Sequence, residues 1–79
     1  MRTKDEHLII RLYELGNASG DVNQPFDRYE VGQSIGLSAR TVDTICALLF
    51  RTNFIRKGDD HDIYLTDNGE KLALRLLDE

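Results

Sequence analysis

Apolar residues along the chain keep a helical rhythm on either side of one short alternating stretch. Leu8, Ile9, Leu12 and Leu15 recur at the three- and four-residue steps of a helix with one buried face, and Thr3 with Glu6 makes a capping box ahead of them. A first helix over about 4–16 is predicted, with Gly16-Asn17 as its stop. From Asn17 to Pro25 the chain is polar and turn-forming, and long for a connection in so small a protein. Asp27 then caps a second helix over about 28–35, with Glu30 as its box partner and Phe26 stapling onto Val31. A third, over about 39–52, turns Val42, Ile45, Cys46 and Leu49 inward and leaves Arg40, Thr41, Asp43, Thr44 and Ala47 outward, with Leu48 and Arg51 near its later edge.

After Thr52-Asn53 the rhythm changes. Phe54-Ile55-Arg56-Lys57 and Asp62-Ile63-Tyr64-Leu65 alternate and are rich in β-branched and aromatic residues, and Gly58-Asp59-Asp60-His61 joins them as a hairpin. Ile55, Ile63 and Leu65 face inward in this reading, with Arg56 or Lys57 and Tyr64 at the surface. Thr66 caps a last helix whose apolar stripe is Leu72, Ala73, Leu76 and Leu77. Leu74 falls off that stripe and, with Leu48, points to a subunit contact. The fold class expected is mainly α with a small β-hairpin (α+β), in a single domain spanning 1–79.

The second and third helices meet at Gly32-Gln33-Ser34-Ile35-Gly36-Leu37-Ser38. Gly32 lets the helices approach closely, Gly36 supplies the positive φ of a helix end, and Ser38 caps the next helix. Leu37 and Val42, at N′ and N4 relative to Ser38, form a hydrophobic staple that sets the interhelical angle. This spacing resembles the helix-turn-helix of DNA-binding regulators, with Gly32 where alanine is commoner.

Size and charge narrow the function. A chain of 79 residues buries a modest core and leaves little room for an enclosed active site. The net charge of −4 argues against a protein that coats nucleic acid indiscriminately. The charge is unevenly distributed, however. Residues 38–57 carry Arg40, Arg51, Arg56 and Lys57 against Asp43 alone, whereas in residues 58–79 Lys71 and Arg75 face Asp59, Asp60, Asp62, Asp67, Glu70, Asp78 and Glu79. Positive charge thus gathers on the third helix and the strand after it. No apolar run approaches the roughly 20 residues that span a bilayer, and the N-terminus lacks the apolar core of a secretion signal, so a cytoplasmic protein is expected.

Catalytic chemistry has no foothold in the pattern. There is no Ser/His/acid or Cys/His arrangement and no phosphate-cradling glycine loop, so neither an enzyme nor a cofactor is expected. Cys46 stands alone, which excludes a disulfide within the chain and a thiolate metal site. His61 sits among aspartates, but adjacent residues on a tight turn rarely converge on one ion, so no metal site is expected.

Three helices, a hairpin and a fourth helix, in that order, resemble a winged helix domain. The junction Phe54-Ile55 … Ile63-Tyr64-Leu65-Thr66-Asp67-Asn68-Gly69-Glu70 is similar to the wing and its exit in bacterial and archaeal winged helix regulators. MarR-type and related proteins often show apolar-x-Leu-Thr-x-x-Gly there. With Gly36-Leu37-Ser38 the resemblance covers residues 4 to 77, and it implies a helix-turn-helix over 28–52 and a wing over 54–65. It also implies that the third helix enters a major groove of double-stranded DNA while the hairpin touches the flanking backbone. On that reading Arg40 is placed for a bidentate contact with guanine, and Thr41 and Thr44 for bases or phosphates. Ser38 and the helix N-terminus hold a phosphate, and Arg51, Arg56 and Lys57 contact the backbone.

So small a unit contacts few base pairs, so a homodimer through the fourth or first helix on a two-fold symmetric site is expected. The chain departs from MarR-type proteins at the wing tip. They commonly carry an arginine there for the minor groove, whereas Gly58-Asp59-Asp60-His61-Asp62 repels phosphate. Winged helix domains also serve as docking units, so the alternative is a protein-protein interaction module that offers its acidic wing and last helix to a basic partner.

Overall fold

The computed structural model describes all 79 residues. Four helices and a three-stranded antiparallel sheet follow one another as α1 (Lys4–Ser19), β1 (Phe26–Asp27), α2 (Arg28–Ser34), α3 (Ala39–Arg51), β2 (Ile55–Lys57), β3 (Asp62–Leu65) and α4 (Asp67–Leu77). The strands lie in the order β1-β3-β2. One core joins all the helices to the inner face of the sheet: Leu8, Ile9, Leu12, Val31, Val42, Ile45, Cys46, Leu49, Ile55, Ile63, Leu65 and Ala73. No helix is long and apolar enough to cross a membrane.

Three helices end in the same way, and the repeated ending sets the shape of the chain. At the end of α2 the N–H of Leu37 donates to the Gly32 carbonyl at 2.9 Å and that of Gly36 to Gln33 at 3.1 Å, with Gly36 at φ +79°. This is a Schellman ending, in which the left-handed residue lets the last carbonyls be satisfied while the chain turns. The end of α3 repeats it with Asn53 at φ +64°, Phe54 bonding back to Leu49 at 3.0 Å. The end of α1 repeats it with Gly20, Asp21 bonding back to Gly16 at 2.9 Å.

The last of these corrects the expected end of α1. Gly16 is inside the helix, and a Cβ there would lie 2.7 Å from the Asp21 carbonyl oxygen and from Val22 Cα. It is glycine because the returning chain crosses it, and the helix runs on to Ser19. The polar connection is correspondingly shorter than 17–25.

The capping box at Thr3 and Glu6 forms, and Arg2 donates to the Leu76 carbonyl at 2.8 Å, tying the start of α1 to the end of α4. Asp27 accepts from the N–H groups of Tyr29 and Glu30, without a return bond from the Glu30 side chain. Phe26 and Asp27, expected only to lead into a helix, also form a strand, Phe26 opposite Ile63 and Asp27 opposite Asp62. A two-residue strand leaves no period to detect; its partner defines it.

The hairpin register is Ile55 to Leu65, Arg56 to Tyr64 and Lys57 to Ile63, which puts Ile55, Ile63 and Leu65 in the core as expected. At the start of α4, Thr66 caps by accepting from the Gly69 N–H at 3.0 Å, donates its hydroxyl to the Asn53 carbonyl at 2.7 Å, and donates its N–H to the Phe54 carbonyl at 3.1 Å. A Cβ on Gly69 would collide with that Phe54 carbonyl oxygen. The Leu-Thr-x-x-Gly sequence is therefore a joint that seats α4 on the chain leaving α3. On α4, Ala73 and Leu76 are buried and Leu72 is partly so, but Leu77 is 42% exposed and lies with Leu74 on the outer side. It stands at the margin of the stripe that α4 turns toward α1, one residue past the buried Leu76.

Candidate functional site

The helix α3 is strongly amphipathic. Val42, Ile45, Cys46 and Leu49 are buried, so the helical period leaves Arg40, Thr44, Ala47 and Arg51 as one outward row. Arg40 and Arg51 are eleven residues apart, or about 16 Å along the helix axis. The helix is held at its start by Ser38, whose hydroxyl accepts from the Thr41 N–H at 3.2 Å.

The site residues read from the sequence divide into three settings. Arg40, Thr44 and Arg51 share the outward row, with the Thr44 hydroxyl donating back to the Arg40 carbonyl at 3.1 Å. Ser38 and Thr41 are bonded to each other at 3.0 Å, and Thr41 turns toward α1. There it lines an open groove of about 420 Å³ with Lys4, Asp5, Arg40, Thr44, Ile45 and Leu48, so the groove borders the outward row. Arg56 and Lys57 are both exposed but the pleat of β2 sends them to opposite faces of the sheet. Lys57 lies on the face of Ile55 and Ile63, toward α3, while Arg56 lies beside Tyr64 on the outer face. Because β2 is the edge strand, both cations nevertheless border one open groove with Phe50, Asn53 and Tyr64.

The ion pairs are Arg11–Glu14 at 3.5 Å and Arg28–Asp43 at 4.0 Å, so Arg40, Arg51, Arg56 and Lys57 are all free of carboxylate partners. For Arg40 this needs a reason, since Asp43 follows it by three residues on the same helix, a spacing at which opposite charges meet. The reason lies on α2. The Tyr29 hydroxyl donates to Asp43 Oδ1 at 2.7 Å, and the Arg28 guanidinium faces the same oxygen. The Asp43 carboxylate, chiefly through this hydrogen bond, holds the Tyr29 phenol above its ordinary value of 10.0.

Arg28 and Tyr29 also reach the hairpin. Arg28 is 8% exposed, donates from Nε and from its backbone N–H to the His61 carbonyl at 3.1 Å each, and stacks over the Phe50 ring at 5.4 Å. Tyr29 meets the His61 ring edge-on at 5.0 Å. The hairpin tip is thus pinned against the start of α2 through His61. Sequence reasoning missed this cluster, because nothing local distinguishes a buried arginine from a solvated one. The one available signal was Asp43, the only acid in an otherwise basic segment.

The remaining exposed large apolar residues are Met1, Leu48, Leu74 and Leu77. Of the two helices expected to dimerise, α4 carries Leu74 and Leu77, whereas α1 has no large exposed apolar residue along its length. Cys46 is fully buried, and that burial pushes its thiol up to about 11. No group of three or more histidine, cysteine or acidic side chains is arranged to hold a metal ion. Comparison with family models, with characterised proteins and with solved structures returns no match to the chain.

Proposed function

We propose that the chain is a winged helix DNA-binding domain, acting as a small transcriptional regulator that lays α3 in the major groove of a specific duplex site. The observation that carries this reading is the outward row of α3, where Arg40 and Arg51 stand free of every carboxylate in an acidic protein. Unpaired, exposed guanidinium groups on the convex side of a rigid helix are suited to guanine edges and phosphates. The order α1-β1-α2-α3-β2-β3-α4 with strands in the order β1-β3-β2 supports the fold assignment, since the hairpin flanks the helix pair that would meet DNA. Arg40 is the guanine reader. Thr44 adds a base or phosphate contact, and Arg51 and Lys57 contact the backbone. Ser38 and Thr41 border the start of the helix, where a phosphate is favoured by the backbone N–H groups. Arg56, which borders the same edge groove as Lys57, adds a backbone contact. Leu74 and Leu77 on α4 offer a homodimer contact for a two-fold site.

Titration of the isotope-labelled protein with random duplex DNA at two salt concentrations tests the reading. Shifts confined to residues 38–57 and weakened by salt are expected, and Arg40→Ala should cost about 1–3 kcal/mol at one base position. Absence of any shift at low salt overturns it. A second reading, a docking module for a basic protein, is favoured by the tip Asp59-Asp60-His61-Asp62, which is held rigidly in place by Arg28 and carries no cation of its own. Salt-dependent binding of a basic polypeptide in place of DNA would select it.

A further inference from the structure

We propose that Asp43 is a specificity-determining residue that accepts a hydrogen bond from the exocyclic amino group of cytosine, beside the guanine read by Arg40. The inference rests on the DNA-binding reading above and names what kind of site it would select. Asp43 lies on the flank of α3 that borders the outward row, and its side chain is 55% exposed. A carboxylate on a surface that approaches phosphates is repelled unless it is compensated and used. Here it is compensated, since Arg28 and the Tyr29 hydroxyl both engage Oδ1, and neither residue belongs to the outward row. No hydrogen bond within the protein engages Oδ2. The carboxylate is therefore immobilised by α2 with one oxygen open to solvent.

What such an oxygen can read follows from the groups exposed in the major groove. An ionised carboxylate only accepts, so guanine O6 and N7 and thymine O4 repel it, and the amino groups of cytosine and adenine attract it. Adenine places its N7 acceptor beside the amino group, whereas cytosine places a C–H there, so cytosine is preferred. Three residues of helix separate Asp43 from Arg40, a rise of about 4.5 Å, which sets the two contacts on the same or adjacent base pairs. The half-site thus has a G+C centre in which the two strands are read by opposite charges. The hydrogen bond from Tyr29 has a second effect: it keeps Asp43 from closing onto Arg40, so both readers stay available.

Selection from random duplexes, followed by affinities for four duplexes differing at the selected cytosine, tests the proposal. The wild type should favour cytosine by about tenfold over guanine or thymine and by less over adenine. Asp43→Asn keeps an acceptor for Tyr29 and nearly the same volume but replaces the open oxygen with the Nδ2 donor, so the preference should move from cytosine to a base that offers an acceptor there, guanine or thymine. Asp43→Ala should reduce discrimination at that position below about twofold while binding to the rest of the site is retained or strengthened, because a negative charge has left the surface. Thermal melting of both variants within a few degrees of the wild type assigns any change to recognition. A preference unchanged in both variants, or affinity shifted equally for all four bases, overturns the role of Asp43 and leaves DNA binding standing. A wild type that binds no duplex at low salt overturns both.

Discussion

Gly32→Ala and Val42→Ala, made singly and together, probe the contact between α2 and α3 that aims the outward row. Gly32 is buried, and a Cβ on it would fall inside the Cγ2 methyl of Val42, with Leu37 Cβ at 3.6 Å. Val42 is fully buried, and a β-branched side chain in a helix has one strongly preferred rotamer, so the methyl cannot swing away. Alanine is favoured over glycine inside a helix by about 1 kcal/mol, whereas forcing a methyl into a filled core costs about 1–3 kcal/mol. Gly32→Ala alone should therefore destabilise by about 1 kcal/mol, the opposite sign to an unobstructed helix position. Val42→Ala alone removes two buried methyl groups and leaves a cavity, for a cost of about 2–3 kcal/mol. In the double variant the methyl added at position 32 enters the space vacated at 42, so the overlap vanishes and the helix preference remains. Its cost should be about 1–2 kcal/mol, a favourable coupling of about 2 kcal/mol relative to the sum of the singles.

Urea unfolding followed by far-ultraviolet circular dichroism measures this, with the slope m compared across the four proteins to confirm one transition. A domain of this length has a total stability of about 4–12 kcal/mol, against which the predicted differences are large. Costs that add within about 0.5 kcal/mol, or a stabilising Gly32→Ala, would show that the two helices do not meet at this point and would remove the geometric basis for the orientation of Arg40.

Further expectations concern the joints around that helix. Gly69→Ala should unfold the protein or cost more than about 3 kcal/mol, because the added Cβ meets the Phe54 carbonyl, a backbone atom that cannot yield, and Leu65 Cδ2 at 2.9 Å; a melting temperature near the wild type would refute the seating of α4. Arg28→Met, which keeps the buried stem and the backbone bond to His61 but removes the Nε bond to His61 and the pairing with Asp43, should destabilise by about 2 kcal/mol and speed hydrogen exchange at the hairpin tip. Stability should also fall at alkaline pH. The Cys46 thiol ionises near 9.0 when unfolded and near 11 when folded, so its contribution is complete below pH 9 and is lost as pH rises to 11, about 3 kcal/mol across the interval. Tyr29, raised from 10.0 by the Asp43 carboxylate, acts in the same direction. Cys46→Ala should flatten the 9–11 segment of the stability profile, and the native thiol should resist alkylation at pH 8; a wild-type profile level through pH 11 would contradict the burial argument.

The sequence alone determined the elements and which face of each is buried, because these depend on short-range periodicity and caps. Thr3, Asp27, Ser38 and Thr66 each accept at a helix start, and Val42, Ile45, Cys46, Leu49, Ile55, Ile63 and Leu65 are buried as their spacing predicts. Only the tertiary structure decided what depends on a partner distant in sequence. The strand at Phe26–Asp27 exists through Ile63 and Asp62, and Gly16 is a crossing point rather than a stop. Leu77 is exposed at the margin of the face that α4 turns toward α1, beside the buried Leu76. The residues of the candidate site were legible one by one, but their grouping was not. Arg56 and Lys57 alternate across the pleat of β2 yet border one groove at the sheet edge, and two residues of α2 take the carboxylate of Asp43 away from Arg40. Charge along a chain records how many ions are present; which of them remain free is settled by the side chains that folding brings within reach.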